Sequence, residues 1–202
     1  MNFMRRIVWF IGLVFWTSLS LASSYSNFYF KNIGVDMGLS HSMVYAILQD
    51  RQGFMWFGTQ EGLNRFDGIS FKVYKKDLLN EGGLQNDAIF ALEEDVDGTI
   101  WIGTDNGVSL YDPKYDSFSD LDLILEDGQL GVGVVRSIVS DKEDNIWLAL
   151  DNKGVFKVDK DKNVQFYSLK DFFGNRGGSI RDIVFDMDGN LSIATYLKCF
   201  LE

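Results

Sequence analysis

Three tryptophans and four aspartates recur at fixed intervals in this chain, and each set suggests a chemistry. Trp56, Trp101 and Trp147 stand 45 and 46 residues apart, and a row of indole faces could stack on sugar rings. Asp50, Asp95, Asp141 and Asp186 keep the same register, and the doublets Asp95/Asp97 and Asp186/Asp188 resemble the opening of a calcium loop. The calcium reading fails at Asn106, since an EF-type loop begun at Asp95 needs a bidentate glutamate there. Aspartates beside Gly98 and Gly189 read instead as turn formers. His41 is the only histidine and has no cysteine or histidine company, which argues against a metal and leaves it a loop or ligand contact. No Ser-His-Asp set can be drawn with one histidine, and no glycine-rich strand-to-helix phosphate loop occurs. Paired carboxylates carry little information in so acidic a chain. Catalytic, metal and cofactor residues are therefore expected to be none, and ligand contacts are not identified by sequence.

The elements that must position these residues are themselves repeated. AILQDRQGFMWFGT from Ala46, ALEEDVDGTIWIGT from Ala91, SIVSDKEDNIWLAL from Ser137 and DIVFDMDGNLSIAT from Asp182 are four copies of one motif. In the first, VYAILQD alternates apolar and polar residues, a short turn carries Gly53, and MWFGT resumes the alternation, which predicts a hairpin. Gly62 breaks the chain before LNRFD, and Asp67-Gly68 predicts a two-residue turn into SFKVY. The second copy follows the plan with Gly98, Gly107 and Asp112-Pro113, where the chain's one proline falls at a turn. The third has drifted: one extra residue separates Trp147 from Gly154, and Asp144 replaces the turn glycine.

Four short strands per period, repeated every 40 to 50 residues, describe β-propeller blades. Helical repeats would place apolar residues at i, i+3 and i+4, and these do not. No tryptophan is followed by aspartate, against WD repeats, and the Gly82-Gly83 and Gly177-Gly178 doublets lack the companions of kelch motifs. The fold expected is all-β, about three and a half four-stranded antiparallel blades of an incomplete ring, with repeats at about 44–75, 89–119, 135–168 and 180–202. The identical register of Trp56, Trp101 and Trp147 within a strand favours a packed layer between blades over a sugar platform. Asp50, Trp56, Gly58, Asp95, Trp101, Gly103, Asp141, Trp147 and Asp186 are the structural repeat. Ser192 fills the fourth tryptophan slot and forgoes burial worth about 3 kcal/mol, so the fourth unit should be the weakest.

Residues 1–22 read as a Sec-type signal peptide, with an uncleaved anchor as the alternative: Arg5 and Arg6 precede the uncharged stretch Ile7 to Leu21, short for a membrane span, and Ser20-Leu21-Ala22 supplies small residues for cleavage after Ala22. No cysteine follows that site, and the single Cys199 can form no intrachain disulfide. The whole chain has a formal charge of −10, and the leader removes two arginines, so residues 23–202, the partial propeller, should repel nucleic acid. Three complete repeats and the start of a fourth do not close a ring, which suggests the N-terminal piece of a longer protein. FYFKNI, Phe28 to Ile33, occupies the place before the first repeat that SFKVY holds before the second, and is expected to be an outer strand of a last, absent blade.

The stretch Gly38 to Tyr74, GLSHSMVYAILQDRQGFMWFGTQEGLNRFDGISFKVY, resembles the two-component regulator propeller family of bacterial sensors, and the likeness extends over residues 28 to about 195. The resemblance implies seven-bladed rings in a periplasmic region, an immunoglobulin-like module, a membrane span and a cytoplasmic histidine kinase or diguanylate cyclase. It further implies a membrane-anchored, dimeric parent that detects a glycan fragment or other small extracellular ligand, with the missing blades and downstream signalling domains as partners. A propeller hydrolase or lyase with its catalytic loops on other blades, and a propeller interaction scaffold, are the competing functions.

Overall fold

Alternating apolar residues fold into short strands that pair in sequence order. A computed structural model describes residues 30–77, 83–125, 127–170 and 178–196. The leader, Cys199 and residues 197–202 lie outside the described residues. The chain divides into Met1–Asn32 and Ile33–Glu202, and everything below concerns the second unit unless stated.

Blade 1 is β1 (Val44–Gln49), β2 (Met55–Thr59), β3 (Gly62–Phe66) and β4 (Phe71–Tyr74). Blade 2 is β5 (Ile89–Glu94), β6 (Ile100–Thr104), β7 (Gly107–Asp112) and β8 (Ser117–Leu121). Blade 3 is β9 (Val135–Ser140), β10 (Ile146–Leu150), β11 (Gly154–Val158) and β12 (Val164–Ser168). The fourth sheet holds β13 (Ser179–Phe185) and β14 (Leu191–Tyr196). All pairs are antiparallel meanders, so the described residues form three and a half blades of an open, all-β propeller. The first strands β1, β5, β9 and β13 are neighbours, which makes them the inner wall from which the sheets radiate.

Burial follows position in the stack. Every residue of β6 in blade 2 is buried, whereas in β14 of the fourth sheet half-buried and exposed residues alternate. A strand covered on both faces can be apolar throughout, as IWIGT is, while one covered on a single face keeps a period of two. The core consists of layers between blades: Trp56 shares one buried cluster with Ile89, Leu92 and Ile102 of the next blade, and Trp101 shares another with Val135, Ile138 and Leu148 of the one after.

Residues 30–34 form no strand and Phe30 is exposed; Phe28 and Tyr29 lie outside the described residues, and the outer strand of a last blade remains an expectation. The turn at Asp67-Gly68 has four residues rather than two, since Phe66 pairs with Phe71 and the Asp67 carboxylate accepts from the N–H groups of Ile69 (2.8 Å) and Ser70 (2.7 Å). Aspartate closing its own turn offers the chain more than the glycine alone does. In drifted blade 3, Asp144 and Asn152 take left-handed backbone (φ 64° and 58°), absorbing the lost glycine and the extra residue.

Candidate functional site

Each blade closes its first hairpin with one aspartate. Asp50 Oδ1 accepts from the N–H groups of Gln52 (3.0 Å) and Phe54 (2.9 Å), and its Oδ2 accepts from Trp56 Nε1 at 2.7 Å. Asp95 does the same with Asp97, Thr99 and Trp101, and Asp141 with Glu143, Asn145 and Trp147. The fourth hairpin has Ser192 in place of the indole, and Asp186 Oδ2 accepts instead from Asn190 Nδ2 at 2.8 Å. Burial pushes the Asp141 carboxyl up, but the donors on Asn145, Trp147 and Glu143 outweigh it and hold the group below its ordinary value. Asp186 is also held low, chiefly by Asn190. These carboxylates are spent on their own turns and indoles. Among the described residues no group of three or more His, Cys, Asp or Glu is placed to hold a metal.

Trp56 and Trp101 are fully buried, and Trp147 is partly buried. Gly58 and Gly103 permit the close approach of the next blade: a Cβ on Gly58 would stand 2.7 Å from Ile89 Cγ2, and one on Gly103 3.0 Å from the Val135 carbonyl. His41 lies in a loop, where its Nδ1 accepts from the Met43 N–H at 3.0 Å. The i, i+6 hydrogen bond between aspartate and indole escaped the sequence reading, although the constant spacing of the two residues was its signal.

A second cluster joins blades 1 and 2. The hydroxyls of Tyr74 (3.0 Å) and Tyr111 (2.8 Å) both donate to Asp116 Oδ1, and Lys72 Nζ stands 2.5 Å from Oδ2. The Lys72 hydrogen bond, with those from Tyr111 and Tyr74, lowers the Asp116 carboxyl to about 2 against the cost of desolvation. Burial pushes both tyrosines up, Tyr74 furthest, so their protons stay on. Protonated phenols aimed at a carboxylate neither attack nor abstract a proton at neutral pH; the cluster is a polar latch between blades.

The third arrangement lies on the inner wall. Every first strand carries a bulge at the same place, and the unpaired residues are Tyr45, Phe90, Arg136 and Arg181. A bulge frees a side chain from the ladder and re-aims it, which is why bulges gather at functional sites. All four residues line one concavity of about 360 Å³, together with Ala46, Ile47, Ala91, Leu92, Ser137, Ile138 and Asp182. In blades 1, 3 and 4 each meets the residue fifteen positions on. The Tyr45 hydroxyl donates to Gln60 Oε1 at 2.5 Å, Arg136 Nε stands 3.3 Å from Asp151 Oδ2, and the Arg181 guanidinium lies 6.0 Å from the Tyr196 ring centroid. Tyr45 and Phe90 pack at 4.8 Å between centroids, and Arg136 lies 4.8 Å over Phe90. Asp151 Oδ1 is buried with no partner among the described residues. The hairpin aspartates recur unchanged, whereas the bulge residue is aromatic in blades 1 and 2 and arginine in blade 3 and the fourth sheet. That contrast is invisible to a search for recurring residues, so sequence reading assigned this position no role.

Residues 38–61 and 83–106 match the model of the two-component regulator propeller family. The chain is 44% identical over 75 residues to Histidine kinase P4 from Formosa agariphila, a stretch covering 37% of this chain and 6% of that protein. Its fold superimposes on the extracellular domain of the hybrid two component system BT3049 from B. thetaiotaomicron with a TM-score of 0.72 at 28% identity, covering 82% of this chain and 24% of that one. Virginiamycin B lyase from Staphylococcus aureus shares the fold alone, at 16% identity and a TM-score of 0.58, over 76% of this chain and 49% of the lyase. The chain thus spans about a quarter or less of the sensor proteins it matches.

Proposed function

We propose that this chain, which carries two-component regulator propeller repeats, is an extracytoplasmic ligand-sensing module of a bacterial signal-transduction receptor. The observation that carries the reading is the inner-wall groove, where a repeating scaffold presents aromatic side chains from two blades and arginines from the next two. A scaffold built only to stack blades has no need to vary the bulge residue while holding Asp50, Asp95 and Asp141 constant. Small-molecule sites combine apolar surface with a few placed polar groups, and a groove of about 360 Å³ falls at the lower end of their size range. The similarity to an extracellular domain and the basic, then apolar, start of the chain support export to the periplasm. Among the described residues no helix is long and apolar enough to cross a membrane. Further blades, a membrane anchor and a kinase or cyclase output then belong to the parent receptor.

The test is a thermal-shift screen of the purified chain against a panel of small oligosaccharides and organic acids. A ligand that raises the melting temperature, with the rise lost in Phe90→Leu while the unliganded melt is kept, is the expected result. A hit whose effect survives Phe90→Leu and Tyr45→Ala together overturns the assignment of the groove. An alkaline phosphatase fusion after Tyr25, which gains activity only where its disulfides can form, should be active, and a stably produced but inactive fusion would remove the export assignment.

A further inference from the structure

The bulge residues are sorted along the wall: two aromatics, Tyr45 and Phe90, and then two cations, Arg136 and Arg181. The two cations are not equivalent. Arg136 is tied to Asp151 and lies over Phe90, so its charge is compensated and its side chain forms the edge of the aromatic surface. Arg181 is exposed, and among the described residues it makes no ion pair; its neighbour is the ring of Tyr196. Asp182 also lines the groove and keeps its charge there, but its Oδ1 is held by the Ser137 hydroxyl at 2.7 Å and the Ile183 N–H at 2.9 Å, and it forms no ion pair with Arg181. A chain with 29 acidic and 19 basic residues repels anions from most of its surface, which makes one uncommitted guanidinium in a concavity the favourable place for an anionic group.

Resting on the sensor reading, we infer that this groove takes a carboxylate carried on a ring with an apolar face. The ring lies on Tyr45 and Phe90, and the carboxylate meets the Arg181 guanidinium. The planar fork of arginine matches the two carboxylate oxygens, and a charge-assisted pair of this kind also selects orientation. The hydroxyl of Tyr45, held by Gln60, supplies a polar rim beside the stacked ring. Both a sugar acid and an aromatic acid have this chemistry.

Four probes separate the possibilities: glucuronate and glucose, benzoate and benzyl alcohol, each titrated into the full chain by ligand-observed NMR. At least one acid should bind about tenfold more tightly than its uncharged counterpart, and the acid that does so identifies the source as sugar or aromatic. Arg181→Gln should abolish that preference with the melting temperature unchanged, while Lys160→Gln, at an exposed turn elsewhere, should keep it. Equal binding of acid and neutral partner, or a preference that survives Arg181→Gln, overturns the anion inference and leaves the sensor reading standing. If none of the four binds while a large neutral oligosaccharide shifts the melt through Phe90, the anion inference also falls and the groove stands. No binding by any of these overturns both.

Discussion

Blade 2 and the fourth sheet start from nearly the same hairpin and end in different physical states. In blade 2, Asp95 closes the turn, holds the Trp101 indole and is itself buried, and the whole of β6 is inaccessible to solvent. In the fourth sheet Asp186 makes the same backbone bonds but is exposed, Asn190 takes the indole's place, and Val184 and Met187 face solvent. The turn is therefore closed locally in both. What differs is the side chain that passes stability outward: an indole is anchored in its own blade and buried by the next, whereas an amide ends at the turn. Local closure and stacking are separable, and only the second depends on the tryptophan slot.

The largest test of that separation is Trp101→Ala, which should cost about 3–5 kcal/mol in denaturant unfolding, enough to unfold a marginal domain. Trp147→Ala, at a partly buried indole, should cost less. Equal losses would mean that the layers do not differ in the way burial indicates. Next comes Asp95→Ala, which strands two backbone N–H groups and a buried indole N–H and should cost about 2–3 kcal/mol. Asp186→Ala should be milder in the same melt, because water replaces the carboxylate at an exposed turn. The smallest effect concerns the latch of blades 1 and 2. Asp116 lies below its ordinary 3.8 in the folded chain, so its contribution is complete above that value and is lost as pH falls towards about 2. With the side chain about half exposed, screening limits the contribution to about 1 kcal/mol or less. Asp116→Asn should remove that part of the acid limb from a plot of melting temperature against pH, and an unchanged limb would assign it to other carboxylates.

Much of the fold was legible because β-strands advertise themselves by alternation and a repeat multiplies a weak signal by four. The meander order, the turn glycines Gly53, Gly98 and Gly189, and the drift of blade 3 all reached the structure as read. The outer strand expected at Phe28 to Ile33 is a different kind of reading, because a strand forms only beside another edge, and its own sequence carries no information about one. Asp159, which closes an outer turn of blade 3 through Asp161 and Asn163, stands in register with Asp67 and Asp112 but escaped, because the extra residue in blade 3 shifts it by one against Trp147. The groove was least legible. Its defining side chains are not constant across the copies, and only the backbone register reveals that Tyr45, Phe90, Arg136 and Arg181 share a position. Repetition exposes scaffold and hides specificity.

The burial of each indole by the blade after it gives the stack a direction. Trp56 packs 5.0 Å from the Tyr111 ring and shares a buried cluster with Ile89, Leu92 and Ile102, so a cavity cut in blade 2 is felt by blade 1, upstream in the chain. A Leu92→Ala lesion should quench or shift Trp56 fluorescence before it disturbs blade 3. During synthesis the same asymmetry means that a newly emerged blade stays provisional until its successor leaves the ribosome. Each blade is finished by sequence that has not yet been made when it first folds.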